Sequence, residues 1–392
     1  MNPEPLRRRS AATLIGGLCV ALLAGCASAP PAPGGDARAL LHDEWFAPSR
    51  EDTSPERVFA LSDSMRGYAD NELRALIAHR DPRRVLVEAL HNRGQLRLAY
   101  DAERTGNAAE TFDSRAGNCL SLVLMTGAFA RHLGLPITFR AVMLDPQYTR
   151  AGGLTLENGH VNIMMGHMGE RPIWGAHDLV VDFLPTRELT GHSAVPLSEQ
   201  TVIAMYMNNR AAETLADGRT DDSYAWARAA LMQDPSHASA VNTLAVIYMR
   251  RGQQAAAEET LRYALQREPE NTAALSNLVL VLRNTGRAAE ADQVAAQLKA
   301  LQPYPPFHFL EAGRQALQAG RAAEARDLFE RELRRQPFQH EVHFWLAQAY
   351  AQMGNSGKAA EHLQNAKDYS TTMSSQKLYS AKLDRLRALQ LQ

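Results

Sequence analysis

Cysteine is scarce in this sequence, which has three cysteines among 392 residues. The histidines are scattered and the cysteines do not pair at the short spacings typical of zinc sites, so we expect no metal and no cofactor. An excess of positive charge is also missing, because 42 Lys and Arg residues face 43 Asp and Glu residues. Neutralising phosphates requires such an excess, so we expect no nucleic-acid partner.

A basic stretch followed by an apolar stretch opens the chain. Three consecutive arginines precede the apolar run 11–24, which is too short to span a bilayer comfortably. The residues LAGC at 23–26 resemble the lipobox of bacterial lipoproteins. This resemblance implies a signal peptide at residues 1–25 and a lipid on Cys26. Because Ala27 follows rather than Asp, it also implies the outer membrane, facing the periplasm; the alternative is an ordinary secretory signal.

One free thiol remains if this processing takes place. Cys19 leaves with the signal and Cys26 carries the lipid, so Cys119 has no disulfide partner in the mature chain. An unpaired cysteine in an oxidising compartment is exposed to damage. It is therefore either buried as a small apolar residue or retained for a chemical role.

A predicted buried helix begins at Cys119. The segment 120–133 is apolar almost all round, which is typical of a helix inside a domain, and a glycine ends it. Asn118 or Ser114 can cap its start. The first turn presents unpaired N–H groups and the positive end of the helix dipole, which favour a thiolate there. Gly117 lacks a side chain and would let a substrate backbone approach the sulfur.

The periodicity changes from helical to alternating after this helix. Residues 137–144, 160–165 and 179–184 are rich in β formers and predict three strands. We expect Asp145-Pro146 to end the first strand and the segment up to Gly159 to form a loop. A helix followed by short strands predicts an α+β fold, with an antiparallel sheet packed on the helix.

The order of these elements resembles the transglutaminase-like superfamily, which is related to papain-like cysteine peptidases. The resemblance covers residues 111–185. It rests on Gly-Asn-Cys before the helix, Gly-His-Val at the second strand and Val-Asp-Phe in the third. It implies that Cys119 is the nucleophile, that His160 is the general base and acid, and that Asp182 orients the imidazole.

Other side chains compete for these roles. His132 lies late in the predicted helix, far along its axis from the thiol. His167 and His177 do not begin a strand, and His192 is a further rival. Asp178 is the rival acid.

A strict 34-residue period occupies the second half of the chain. Turn-forming residues recur at this spacing: Gly218, Gly252, Gly286, Gly320 and Gly354, and likewise Pro235, Pro269, Pro303 and Pro337. The period resembles the tetratricopeptide repeat, whose unit is two antiparallel helices. We therefore expect an α+β transglutaminase-like domain followed by an all-α solenoid. The predicted parts are a lipid-anchored flexible linker at 26–50, the cysteine domain at 51–203, five repeats at 204–373 and a capping helix at 374–392.

Three functional hypotheses follow. The leading one is a lipid-anchored periplasmic cysteine hydrolase or acyl transferase that acts on amide bonds, with the repeats recruiting a substrate or partner protein. The alternative is a non-catalytic envelope scaffold that uses the repeats for protein–protein interaction. A transglutaminase proper is a third hypothesis, in which an amine accepts the acyl group. The expected partners are a protein or peptide in the repeat groove and a membrane reached through the lipid.

Overall fold

The computed structural model describes residues 35–91, 96, 98–102, 104–151, 154–166, 178–183 and 192–390. Up to residue 198 the chain combines short helices with strands, and from residue 199 helices alone follow one another. The predicted signal peptide and Cys26 lie outside the described residues. No described helix is both long and apolar enough to cross a membrane.

The first region contains five α-helices and six strands within its described residues. The helices are α1 (Asp63–Tyr68), α2 (Arg74–Ile77), α3 (Pro82–His91), α4 (Ala108–Ser114) and α5 (Cys119–His132). The strands are β1 (Ala99–Tyr100), β2 (Ala116–Gly117), β3 (Ile137–Ala151), β4 (Leu154–Met165), β5 (Leu179–Val181) and β6 (Ala194–Leu197). Short 3-10 helices lie at Ala37–Leu40, Asp43–Trp45 and Pro55–Arg57, and a π-helical segment at Ala69–Leu73 joins α1 to α2.

Four strands form one antiparallel sheet in the order β5-β4-β3-β6. Helix α5 contacts this sheet chiefly at β4, and every residue from Leu120 to Ala130 is buried. This arrangement of a buried helix on an antiparallel sheet is the one that the change of periodicity predicts. Strands β1 and β2 form a separate parallel pair beside the start of α5.

The hairpin of β3 and β4 is longer than the sequence predicts. The expectation that Asp145-Pro146 ends the first strand is wrong, because β3 continues to Ala151. The pairing register shifts between Val142 and Gln147, so the proline lies where the ladder is already interrupted. Its missing N–H therefore removes no hydrogen bond from the ladder.

Ten helices form five successive pairs, and an eleventh follows them. The bounds are α6 (Glu199–Ala216), α7 (Thr220–Gln233), α8 (Ala238–Arg251), α9 (Gln254–Arg267), α10 (Thr272–Asn284), α11 (Ala288–Leu301), α12 (His308–Gln318), α13 (Ala322–Arg335), α14 (His340–Gln352), α15 (Ser356–Asp368) and α16 (Met373–Gln390). The five glycines spaced by 34 residues lie in the turn within each pair, with φ between 76° and 82°. Glycine adopts this conformation without steric cost, which explains why it recurs there.

The segment before α1 packs on the repeats. The hydroxyl of Tyr248 donates to the backbone oxygen of Leu40 at 2.6 Å, and the ring of Phe46 stacks on that of Tyr224 with centroids 3.8 Å apart. The prediction that residues 26–50 form a flexible linker is therefore wrong from Leu40 to Phe46. The proline- and glycine-rich stretch ends earlier, and the apolar side chains after it are buried against the repeats.

Two further contacts join the first region to later repeats. In the β3–β4 hairpin, the backbone oxygen of Tyr148 accepts a hydrogen bond from the side chain of Gln339 at 3.1 Å. Ala102, which follows β1, donates its N–H to the backbone oxygen of Thr371 at 2.8 Å. The first region therefore touches the repeats at several places along their length.

The hydrophobic core is continuous across the predicted domain boundary. Val202 and Met207, on either side of residues 203 and 204, are fully buried in the cluster that contains Met125 of α5. The first repeats and the first region therefore share a core. The boundary at 203–204 stays a prediction from the change in sequence period, without a gap in packing to mark it.

The close approach of two helices at Gly313 generates the first prediction. A Cβ atom there would lie 2.5 Å from Cε1 of Phe329, a ring that is fully buried. Gly313→Ala should lower the free energy of unfolding by about 1–3 kcal/mol, because the ring has no open space to move into. Urea denaturation of the purified protein measures this change.

Gly357→Ala is the matched control, because Gly357 also lies inside a helix of the repeats. Its nearest neighbouring atom would be 3.9 Å from the new Cβ. We expect this variant to gain about 0.5–1 kcal/mol, since alanine favours the helix over glycine. If Gly313→Ala and Gly357→Ala changed the free energy of unfolding equally and in the same direction, the result would contradict the packing argument.

Candidate functional site

Cys119 is the first residue of α5, and Asn118 caps the helix. The Asn118 side-chain oxygen accepts hydrogen bonds from the backbone N–H of Ser121 at 2.9 Å and from its hydroxyl at 2.8 Å. The side-chain nitrogen of Asn118 donates to the hydroxyl of Thr105 at 2.8 Å. Cys119 is a free, partly exposed thiol. Of the two predicted caps, Asn118 holds the helix start, whereas Ser114 donates to the backbone of Glu110.

Gly117 is packed against neighbouring side chains of the protein itself. A Cβ atom at this buried position would lie 2.6 Å from Cβ of Ser121 and 3.2 Å from Cγ2 of Thr111. The space beside Gly117 is therefore filled by the protein's own α4 and α5. The expectation that this glycine leaves room for a substrate backbone is wrong for this reason.

The ring of His160 is hydrogen-bonded to the carboxylate of Asp182. The distance from Nε2 to Oδ1 is 2.8 Å, and the two side chains are 4% and 9% exposed. Because Nε2 faces the carboxylate, Nδ1 is the nitrogen that remains for Cys119, whose thiol is near enough to the ring to raise its pKa. The structure thus places the three predicted site residues in one cluster.

The protonated form of His160 is stabilised by this environment. Burial alone lowers its pKa, but the hydrogen bonds with Asp182 and Cys119, together with the negative charge of both partners, outweigh burial. These contacts raise the pKa of His160 from 6.5 to about 9. The ring is therefore an imidazolium at neutral pH, facing a sulfur and a carboxylate.

Strand geometry explains why His160 and Asp182 lie next to each other. Ile163 of β4 pairs with Val181 of β5 in antiparallel register, so the next position, Asp182, lies beside Asn162. Residues two apart on a strand share a face, which places His160 next to Asn162 and within reach of the same carboxylate. Asp178, the rival acid, precedes β5 at its other end.

The rival histidines that the structure describes have other partners. Nε2 of His132 lies 2.8 Å from Oδ1 of Asp70, and Nδ1 of His192 lies 2.9 Å from the backbone oxygen of Met143. His167 and His177 lie outside the described residues. Within the described part of the chain, no three His, Cys, Asp or Glu side chains are grouped to hold a metal ion.

Three residues that contact the site, Asn162, Arg140 and Thr105, are not among those predicted from the sequence. Asn162 donates to Oδ2 of Asp182 at 2.9 Å, and Arg140 donates from Nε to Oδ1 of Asn162 at 3.0 Å. The alternation of β4 gives a signal for Asn162, because it follows His160 by two positions. Thr105 has no such signal, since its contact with the helix cap joins residues that are distant in sequence.

Comparison with known families identifies the repeats. The sequence model of the tetratricopeptide repeat family matches residues 310–370. The chain contains tetratricopeptide repeats. A second model, of the coatomer epsilon subunit, matches residues 230–316. No curated protein matches the chain.

Solved structures of repeat proteins are similar to part of the chain. The TPR protein YrrB, described as having an unusual peptide-binding site, is 21% identical, and the match covers 46% of this chain and 92% of YrrB with a TM-score of 0.25. A thermophilic TPR protein from Thermus thermophilus, TTC0263, is 18% identical, with coverage of 46% and 98% and a TM-score of 0.29. Pseudomonas aeruginosa pilF is 22% identical, with coverage of 48% and 94% and a TM-score of 0.27.

The contact between sulfur and imidazole generates the second prediction. The positive charge of the imidazolium stabilises negative charge that develops on the neighbouring sulfur, so iodoacetamide should modify the wild type at pH 7 about tenfold faster than His160→Gln. The advantage should be complete at neutral pH and should shrink as the pH rises through about 9, where His160 loses its proton. Alkylation rates between pH 6 and 10 measure it.

His132→Gln is the control, since this histidine pairs with Asp70 away from the cluster. It should keep the wild-type alkylation rate. A wild type and His160→Gln that react equally fast at pH 7 would contradict the contact.

Proposed function

We propose that this chain is a tetratricopeptide-repeat scaffold that binds a polypeptide and presents it to a cysteine acyl-transfer site. The scaffold part has the wider support, because the family comparisons match only the repeats. These comparisons therefore favour the non-catalytic alternative over the catalytic hypothesis. The cluster of Cys119, His160 and Asp182 is the observation that favours adding chemistry to the scaffold.

An amide row on the first helices of the repeats is the proposed binding surface. It comprises Asn208 of α6, Asn242 and Thr243 of α8, and Asn277 of α10. Thr243 donates to Asn208 at 2.7 Å, and Asn277 donates to Asn242 at 2.9 Å. All four side chains are half-buried. Carboxamides both donate and accept hydrogen bonds, which suits them to the backbone of an extended peptide.

The proposed chemistry begins with attack on an amide carbonyl. The thiolate of Cys119 forms a bond to the carbonyl carbon, and the negative charge moves to the oxygen, where the backbone N–H of Cys119 can stabilise it. The C–N bond then breaks as His160 donates its proton to the leaving nitrogen. The acyl group stays on sulfur as a thioester until water or an amine attacks with His160 accepting a proton. Asp182 keeps the ring oriented throughout.

The repeats and the cysteine share a structural connection that supports this division of labour. Thr105 receives hydrogen bonds on its hydroxyl from Asn118 at 2.8 Å and from Asn209 at 3.2 Å. Asn209 lies on α6, next to Asn208 of the amide row. A polypeptide held by the row therefore lies on the helix that contacts the cap beneath Cys119.

We propose a cell-envelope location from the amino-terminal sequence alone. Cys26 would carry a lipid after removal of residues 1–25, which would hold the protein at the outer membrane facing the periplasm. A tethered scaffold would meet its polypeptide partner in that compartment.

Complementation of a gene deletion tests the function. Cys119→Ala and the double variant Asn242→Ala with Asn277→Ala should both fail to restore the wild-type phenotype, because binding and chemistry are both required. Glu259→Ala, an exposed position on the other helix of the second pair, is the control and should restore it fully. If Cys119→Ala restores the wild-type phenotype fully and the amide-row variant does not, the result would contradict the proposed chemistry and support only the scaffold function.

Lipidation predicts a labelling result. Cells fed an alkyne-tagged fatty acid should label the wild-type chain but not Cys26→Ser, because acylation requires this thiol. Cys19→Ser should label like the wild type, since that residue leaves with the signal. Equal labelling of wild type and Cys26→Ser would contradict the proposed anchor.

A further inference from the structure

The carboxylate of Asp182 is held at both of its oxygens. Oδ1 faces Nε2 of His160 at 2.8 Å, and Oδ2 accepts a hydrogen bond from Nδ2 of Asn162 at 2.9 Å. His160 and Asn162 are each 5% exposed. Two fixed contacts at opposite oxygens define the plane of a carboxylate, whereas a single contact leaves it able to rotate.

Arg140 decides which way the amide of Asn162 points. Its Nε donates to Oδ1 of Asn162 at 3.0 Å, and a guanidinium can only donate. The amide oxygen must therefore face Arg140, so the amide N–H group faces Asp182. Arg140 is placed for this contact because it pairs directly with Asn162 across β3 and β4.

We propose that Asn162, oriented by Arg140, is a positioning residue that keeps the carboxylate of Asp182 directed at the ring of His160. The inference rests on the proposed acyl-transfer function and extends it to residues that touch neither sulfur nor substrate. The sequence of contacts runs Arg140, Asn162, Asp182, His160 and Cys119. The first three contacts are hydrogen bonds in which a donor faces an acceptor, so a change at Arg140 reaches the ring of His160 through three of them. The ring in turn lies near Cys119.

A simple electrostatic role for Asn162 predicts the opposite result from a positioning role. If the amide only disperses the charge of Asp182, its removal leaves a more negative carboxylate and a more strongly protonated His160. If the amide positions the carboxylate, its removal lets Asp182 rotate away, and His160 loses protonation. The direction of the change therefore separates the two roles.

The experiment measures the protonation of His160 in the full chain by NMR of carbon-labelled histidine between pH 6 and 10. In Asn162→Leu, we expect the ratio of protonated to neutral ring at a given pH to fall about tenfold, which moves its titration down by about one pH unit. The alkylation rate of Cys119 at neutral pH should fall with it. Met143→Leu, at an exposed position on β3, is the control and should titrate like the wild type.

Arg140→Met is the second variant, and it keeps the test decisive if Asn162→Leu does not fold. Without the guanidinium, the amide can turn its oxygen toward Asp182, so the protonated fraction should again fall. An unchanged or increased protonated fraction in both variants overturns the positioning role. A wild type in which His160 is already neutral at pH 7 overturns the proposed chemistry itself, which is a different result.

Discussion

The position of the thiol depends on the hydrogen bonds at the start of α5. One carboxamide, that of Asn118, accepts the N–H and hydroxyl of Ser121 and donates to Thr105. Thr105 is fully buried, and its backbone N–H donates to Glu213 of α6 at 2.8 Å. An isolated N-cap contributes about 1 kcal/mol. Here the cap also joins the helix to the first repeat, so the packing of the repeats and the direction of the sulfur depend on each other.

The sheet supplies the other half of the site through its register. A strand with period two places His160 and Asn162 on one face, and the pairing of β4 with β5 brings Asp182 beside them. A slip of one residue would turn these side chains to the opposite face. The buried residues that alternate with them, Val161 and Ile163, oppose such a slip because it would expose them. The hydrophobic core therefore protects the geometry of the polar cluster.

Much of this architecture is predictable because its signals are local. The 34-residue period predicts the repeats, and an apolar segment capped by Asn118 predicts α5. The length of the β3–β4 hairpin is not predictable from Pro146, because a proline at an interrupted ladder is compatible with a strand. The contacts of Arg140 and Thr105 depend on register and tertiary packing, so no local pattern reveals them. The family resemblance implies Asp182 rather than Asp178, and the pairing of β4 with β5 gives the physical reason why Asp182 lies beside Asn162.

A stack of helix pairs is ordinarily flexible along its length, because each pair contacts only its neighbours and the two ends can move apart. In this molecule the Ala102–Thr371 hydrogen bond ties the last pair to the strand beside Cys119, while α6 packs on the same region. The first region therefore contacts both ends of the stack and limits how far they can move apart. The separation of the two ends is then fixed in the free protein, so binding of a polypeptide costs less conformational entropy and tolerates less variation in the size of the bound chain.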